Sequence, residues 1–151
     1  DNLIEYDTGT FSYTQATNSR KSQGIEFEGK WQASDTISVD GSYAYVDAKT
    51  GTEVAARVPG HDLSLAISAN IIPKVNSNLE INHVMDYKDT VSGSLVDMPD
   101  YTVTNLAVSY DISNNLLGYV RIQDLMDSDY ETVKDFNTGG RQIFAGIRAT
   151  F

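Results

Sequence analysis

Residues 24–46 read GIEFEGKWQASDTISVDGSYAYV, and in them apolar and polar side chains take turns. Ile25, Phe27, Gly29, Trp31 and Ala33 alternate with Glu26, Glu28, Lys30 and Gln32. Across the short polar turn at Ser34-Asp35, Ile37, Val39, Gly41, Tyr43 and Tyr45 alternate with Ser38, Asp40, Ser42 and Ala44. Successive side chains of a strand point to opposite faces, so a period of two means strands with one apolar and one polar face.

The pattern returns along the chain. Leu63, Leu65, Ile67, Ala69 and Ile71 form one apolar set, and Leu79, Ile81, His83, Met85 and Tyr87 another, with Val84 out of phase. Runs at 101–112 and 116–123 are strand-like, and the last run sets Ile143, Ala145, Ile147, Ala149 and Phe151 against Gln142, Phe144, Gly146, Arg148 and Thr150. Short turns (Ser34-Asp35, Pro73 to Asn78, Ser113 to Asn115) alternate with long loops near 48–60, 88–100 and 125–140. With a stub at 2–7 and the stretch from about 11, this predicts an all-β chain of about eight antiparallel strands in up-and-down order. No domain boundary, linker or low-complexity segment interrupts it.

Such strands suit a soluble sandwich with the apolar face inside, or a transmembrane barrel with the apolar face on lipid and the polar face on a wet lumen. The unequal loops favour the barrel, as do aromatics near strand ends (Tyr45, Tyr87, Tyr101, Tyr110, Phe151), where an interfacial girdle would lie. Trp31, near the short turn, suits a periplasmic interface anchor. The 151 residues carry 21 acidic against 11 basic side chains, a net charge of −10, which argues against nucleic acid as a partner. Absence of cysteine excludes disulfides and thiolate chemistry. The run Leu63 to Ile72 is far shorter than the roughly 20 residues of a spanning helix. The start, Asp1 to Tyr6, has no leader pattern, so the chain is expected to begin inside a longer protein.

The last third carries a family likeness. Asp124-Leu125-Met126-Asp127, then Tyr130, Gly140-Arg141 and an alternating strand ending in Phe151, resemble the closing hairpin of TonB-dependent outer-membrane receptors. There the penultimate strand commonly ends in Asn-Leu-Phe-Asp and the last strand opens on Gly-Arg; Asp124 stands for the Asn and Met126 for the Phe. Asn2-Leu3-Ile4 and Ser22 to Glu28 match the family's style, and Asp129 to Val133 with Tyr43 to Ala48 look most like the cobalamin receptors. The resemblance implies that residues 1–151 are the C-terminal part of a 22-stranded barrel whose N-terminal plug and coupling box lie elsewhere. It also implies an assembly signal at Gly146, Ala149 and Phe151, read by the barrel-assembly machinery, with Phe144 in a position that is normally polar.

Other candidates have plainer readings. Asp124, Asp127, Asp129, Glu131 and Asp135 could suit Ca²⁺, but the loop lacks the glycine of a calcium loop, Thr132 standing in its place, and reads as a solvated loop. Glu26 and Glu28 share a face about 6.5–7 Å apart, as glycosidase carboxylates can, yet a polar lumen wall explains them without a third partner. His61 and His83 form no local metal motif. Gly139-Gly140-Arg141 is a turn into the last strand rather than a phosphate loop.

The reading is therefore an outer-membrane receptor segment, in contact with the bilayer, for a scarce bulky nutrient, cobalamin or a metal–siderophore, with TonB coupling supplied by an N-terminal part. No catalytic residue, resident metal or cofactor is expected. Loop position nominates Lys49, Glu53, Arg57, Tyr87, Lys88, Lys134 and Phe136 for ligand contact. Two other readings remain. A self-contained eight-stranded adhesion or structural barrel would pair strand 2–7 with the last strand. A secreted carbohydrate-binding sandwich would bury Trp31, Leu65, Ile67 and Ile81 in a core.

Overall fold

The computed structural model describes residues 4–7, 9–15 and 19–151; Asn2 and Leu3 of the expected first strand lie outside them. Fourteen strands and no helix make up the described chain. A hairpin, β1 (Ile4–Asp7) and β2 (Ser12–Gln15), precedes the long β3 (Arg20–Ser34) and β4 (Ile37–Thr50), a short β5 (Glu53–Val54), β6 (His61–Ala69) and β7 (Val75–Met85). Then come the hairpin β8 (Tyr87–Val91) and β9 (Ser94–Met98), β10 (Tyr101–Ser113), β11 (Leu116–Gln123), the hairpin β12 (Glu131–Val133) and β13 (Phe136–Asn137), and β14 (Gln142–Ala149).

Seven long strands form one antiparallel meander in the order β14-β11-β10-β7-β6-β4-β3, with β5 added beside β4. Residues 35–36, 70–74 and 114–115 join strands at one end. Long connections carrying β5, β8–β9 and β12–β13 stand at the other. Both outermost strands end the sheet, so the described residues form an open arc of wall. Ile4–Asp7 pairs with Ser12–Gln15 and not with the last strand, which removes the pairing a self-contained barrel needs. The stretch from about 11 also divides, β2 completing that hairpin and β3 starting afresh at Arg20.

The register decides the chemistry of the two faces. Trp31, Val39, Ile67, Leu79, Leu106, Ile122 and Ile143 are successive cross-strand partners, so one apolar row crosses all seven strands. On the opposite face the neighbouring row reads Lys30, Asp40, Ala66, Glu80 and Asn105. There Lys30 meets Asp40 at 3.1 Å, Ser64 donates to Asn82 at 2.8 Å, and Asn78 donates to Ser68 at 3.1 Å. This face holds a groove of about 530 Å³ bordered by Glu28, Asp40, Ser64 and Glu80.

Among the described residues no second layer covers the apolar face. Trp31 is 66% exposed, Leu65, Ile67 and Ile81 are only half-buried, and Phe27, Ile143 and Ile147 are exposed. That is the opposite of the sandwich expectation and suits a surface whose neighbour is hydrocarbon. At nearly 50 Å by strand rise, β3 and β4 exceed the 9–11 residues a crossing needs, and their Arg20–Thr50 end stands on the side of the long loops.

Several irregularities now have causes. Val84 lies on the polar face but at its loop end, where it is 6% exposed and packs with Tyr87 and Met98 beneath the β8–β9 hairpin. Tyr87 and Tyr101 therefore belong to this small core and not to a girdle; Tyr43, Tyr45 and His61 take the outer apolar rim instead, with Tyr43 Oη 2.7 Å from His61 Nδ1. His83, on the same face, meets Thr102 Oγ1 at 2.8 Å. Phe144 fits the polar face because the Arg121 guanidinium lies 4.7 Å from its ring centre. The Tyr119 phenol lies directly over Gly146, where a Cβ would fall 2.6 Å from its Oη and the ring would have to move aside.

Leu65 sits midway along the apolar face and Ala66, its neighbour, pairs with Asp40 and Glu80 on the other. Leu65→Arg should cost about 2–4 kcal/mol, the range for arginine at a bilayer midplane, whereas Ala66→Arg should fold nearly as the parent. Folding titrations into lipid vesicles compare the two; equal losses would mean that the faces are assigned wrongly.

Candidate functional site: the loop rim

The small core holds up a polar knot. Asp89 lies on β8 two residues from Tyr87 and faces the same way, 1% exposed. Its Oδ1 accepts from Arg57 Nε at 2.7 Å and from Thr90 N at 2.7 Å, and its Oδ2 accepts from Lys134 N at 2.8 Å. Tyr87 Oη donates to the Thr132 carbonyl at 2.6 Å, and Arg57 N to the Lys88 carbonyl at 2.8 Å. One carboxylate thus ties together the loops near 48–60, 88–100 and 125–140. The Arg57 hydrogen bond, followed by the two backbone N–H groups, holds the Asp89 carboxyl down at about 2. The reciprocal interaction pushes the Arg57 guanidinium up.

The residues nominated by loop position fall into two groups. Arg57, Tyr87 and Lys134 converge on the knot, Lys134 also bridging Glu131 and Asp135 at 3.1 Å each. Its neighbours Asp135 and Glu131 raise the Lys134 ammonium, and burial raises the Tyr87 phenol. Lys49 pairs with Asp47 at 3.1 Å, Lys88 with Asp97, and Glu53 pairs across β5 with Thr50. Phe136 is 70% exposed at the tip hairpin. Asp89 itself escaped the sequence reading. Its signal was an acid at an inward step of the alternation Tyr87, Asp89, Val91, where an apolar residue is expected.

Asp124 is the second buried acid, 5% exposed. It fills the place where the resembled motif has Asn. Its Oδ2 accepts from Ser128 N at 2.8 Å, while Oδ1 has no donor among the described residues. The Gly-Arg pair lies in an irregular segment leading into β14, where Arg141 N donates to Asp127 Oδ1 at 2.8 Å and Arg141 Nε to the Leu125 carbonyl at 3.1 Å, holding the long loop to the start of that strand. Glu26 and Glu28 lie on the polar wall, where they share a groove with Ser42 and Asp62. No set of three His, Cys, Asp or Glu side chains among those residues is placed to hold a metal.

The family described as TonB dependent receptor-like, beta-barrel matches residues 1–136. The metal-pseudopaline receptor CntO of Pseudomonas aeruginosa is 26% identical over 140 residues, covering 85% of this chain and 20% of that protein. The ferrichrome outer membrane transporter/phage receptor of Escherichia coli K12 is 28% identical over 170 residues, covering 100% of this chain and 22% of its own length. Among solved structures, the pyoverdine outer membrane receptor FpvA from Pseudomonas aeruginosa PAO1 superposes with a TM-score of 0.81 at 19% identity over 99% of this chain and 25% of that one. The chain spans about a fifth of the length of these curated relatives.

Asp89→Asn keeps the shape but removes the charge that orders Arg57. Amide hydrogen exchange should rise roughly tenfold in residues 55–58, 88–91 and 131–135 together, with β6 and β7 unchanged. A rise in only one loop would show that they are not tied. Because the Asp89 carboxyl is depressed, its contribution is present above the unfolded-state range near 4 and lost as the pH falls towards 2. Loop protection in the parent should therefore persist at pH 4 and collapse below about pH 2.

Proposed function

The chain belongs to the TonB-dependent receptor-like β-barrel family, and on that premise we propose that it is the C-terminal wall of a 22-stranded barrel in a receptor that imports a metal–siderophore complex. Its relatives are Gram-negative outer-membrane transport receptors and not enzymes, so the mechanism is binding and gated passage with no bond made. The apolar face meets lipid, the polar face lines the lumen, and the knotted loops form part of the outer rim where ligand is caught. TonB coupling belongs to an N-terminal plug, and the C-terminal strand, through Gly146, Ala149 and Phe151, offers the assembly machinery its signal.

The observation that carries this reading is the Asp89 knot at the mouth of a two-faced wall. It joins three loops into one surface carrying Lys49, Arg57, Lys88 and Lys134 on a chain whose net charge is −10. Each of these cations is matched by a carboxylate, and Arg57, its Nε held by Asp89 while 55% of its side chain is exposed, offers its remaining N–H groups to the carboxylate and other oxygen donors of a metal chelate. Glu53, Tyr87 and Phe136 complete the proposed contact set, Phe136 as an exposed aromatic anchor. Cobalamin is the second reading, resting on Tyr43 to Ala48 and Asp129 to Val133. The chelate is preferred because the relatives named above are a metal-pseudopaline receptor and a ferrichrome transporter.

Outer-membrane vesicles bearing the full receptor should bind ferric and other metal chelates in preference to cyanocobalamin. Arg57→Ala should weaken chelate binding roughly tenfold or more, as loss of a charged hydrogen bond does. Saturable cyanocobalamin binding with no chelate binding would overturn the assignment.

A further inference from the structure

The outer face of the wall carries charge at one corner only. Register and alternation turn Lys30, Arg121 and Arg148 to the lumen side, with the carboxylates of Glu26, Asp40 and Glu80. In the seven long strands, Lys21, Asp47 and Lys49 are the Lys, Arg, Asp or Glu side chains that face outward among the described residues. From Ser34 back to Ile25, β3 has ten residues, which matches the roughly 9–11 of one membrane crossing. Ile25, Tyr45 and His61 are cross-strand partners at the outer end of that span. Beyond them Gln23 pairs with Asp47, and Lys21 with Lys49. The two lysines stand four residues past Ile25 and Tyr45, about 13 Å along the strands, which puts them in the headgroup layer on the lipid side of the rim.

We propose that Lys21 and Lys49 together hold a phosphate of an outer-leaflet lipid headgroup whose acyl chains lie against the apolar rows below. Like charges directly opposite each other on an antiparallel pair repel. Asp47 answers one of the two: its Oδ2 meets Lys49 Nζ at 3.1 Å and accepts from Gln23 Nε2 at 3.3 Å. Lys21 has no carboxylate partner among the described residues. A phosphate has several oxygens and more than one negative charge, so one group accepts from both ammonium groups and removes their repulsion. A zwitterionic headgroup would bring a cation of its own to a place that already holds an excess. The apolar face fixes the source of the phosphate. A lipid is held there at two points, by its chains along Phe27, Leu63 and Leu65 and by its headgroup at the lysines, whereas a dissolved anion gains the second contact alone.

The test is native mass spectrometry of the full receptor, stripped of lipid in detergent with EDTA present and titrated with diphosphoryl lipid A. The parent should retain one lipid A that the double variant Lys21→Gln/Lys49→Gln binds about tenfold more weakly. Lys21→Gln alone should lose about threefold and decides the matter should the double variant not fold. Lys30→Gln, on the same strand but facing the lumen, should bind as the parent does. The same glycolipid with both phosphates removed should bind parent and variants alike. Equal affinity of parent and Lys21→Gln for diphosphoryl lipid A would overturn the proposal, as would a loss of the same size with the dephosphorylated lipid. Displacement of the lipid by an equal concentration of inorganic phosphate would assign the pair to a dissolved anion instead. The outcome does not depend on which nutrient the receptor carries.

Discussion

The antiparallel ladder from β3 to β14 aligns seven independently alternating strands so that their apolar members fall in common rows. A single-layer sheet cannot hide such a row from water by folding on itself, because among the described residues there is no helix and the three small hairpin sheets leave the apolar row exposed. The row from Trp31 to Ile143 therefore needs an apolar neighbour, and lipid provides it without a core. Everything else follows from that sidedness. The polar rows are left to line a lumen, short turns stay at one end, and the elaborate connections gather at the other.

At that other end the rules reverse. Above the membrane the polar face is roofed by the β8–β9 hairpin, and there the chain builds its small core of Val84, Tyr87 and Met98, with Val96 and Tyr101 packed against it. A core of this size cannot order three long loops by hydrophobic burial alone. Asp89 does it with directed bonds instead, two of them from backbone N–H groups that no side-chain substitution elsewhere can remove. In the proposed function, a rim so ordered would meet its ligand without first losing the entropy of arranging the loops. The same carboxylate leaves Arg57 oriented at its Nε edge, with half its side chain in water.

Much of the wall was legible in the chain. Period-two alternation, the short turns and the positions of the long loops belong to local sequence, and the strands fall where alternation places them. Boundaries moved by a few residues: Val75 to Asn78 read as turn and is strand, while Ile71 read as strand and lies beyond β6. Tyr87 and Tyr101 were misplaced to a girdle because alternation records only which side of a strand a residue takes. It does not record what lies over that side.

The sequence by itself determined that the chain is all-β, that each strand has an apolar and a polar face, and, through the Asp124 to Arg141 stretch and the closing strand, which family it resembles. Tertiary structure alone decided the rest. Arg57, Asp89 and Lys134 are 32 and 45 residues apart along the chain, and no local pattern brings them together. Alternation marks Asp89 as facing inward, but it does not tell that Asp89 and Asp124, two acids among many, are covered. Burial is set by what packs over a residue, and here the covering segments come from distant loops whose positions are fixed only when the ladder has set its register.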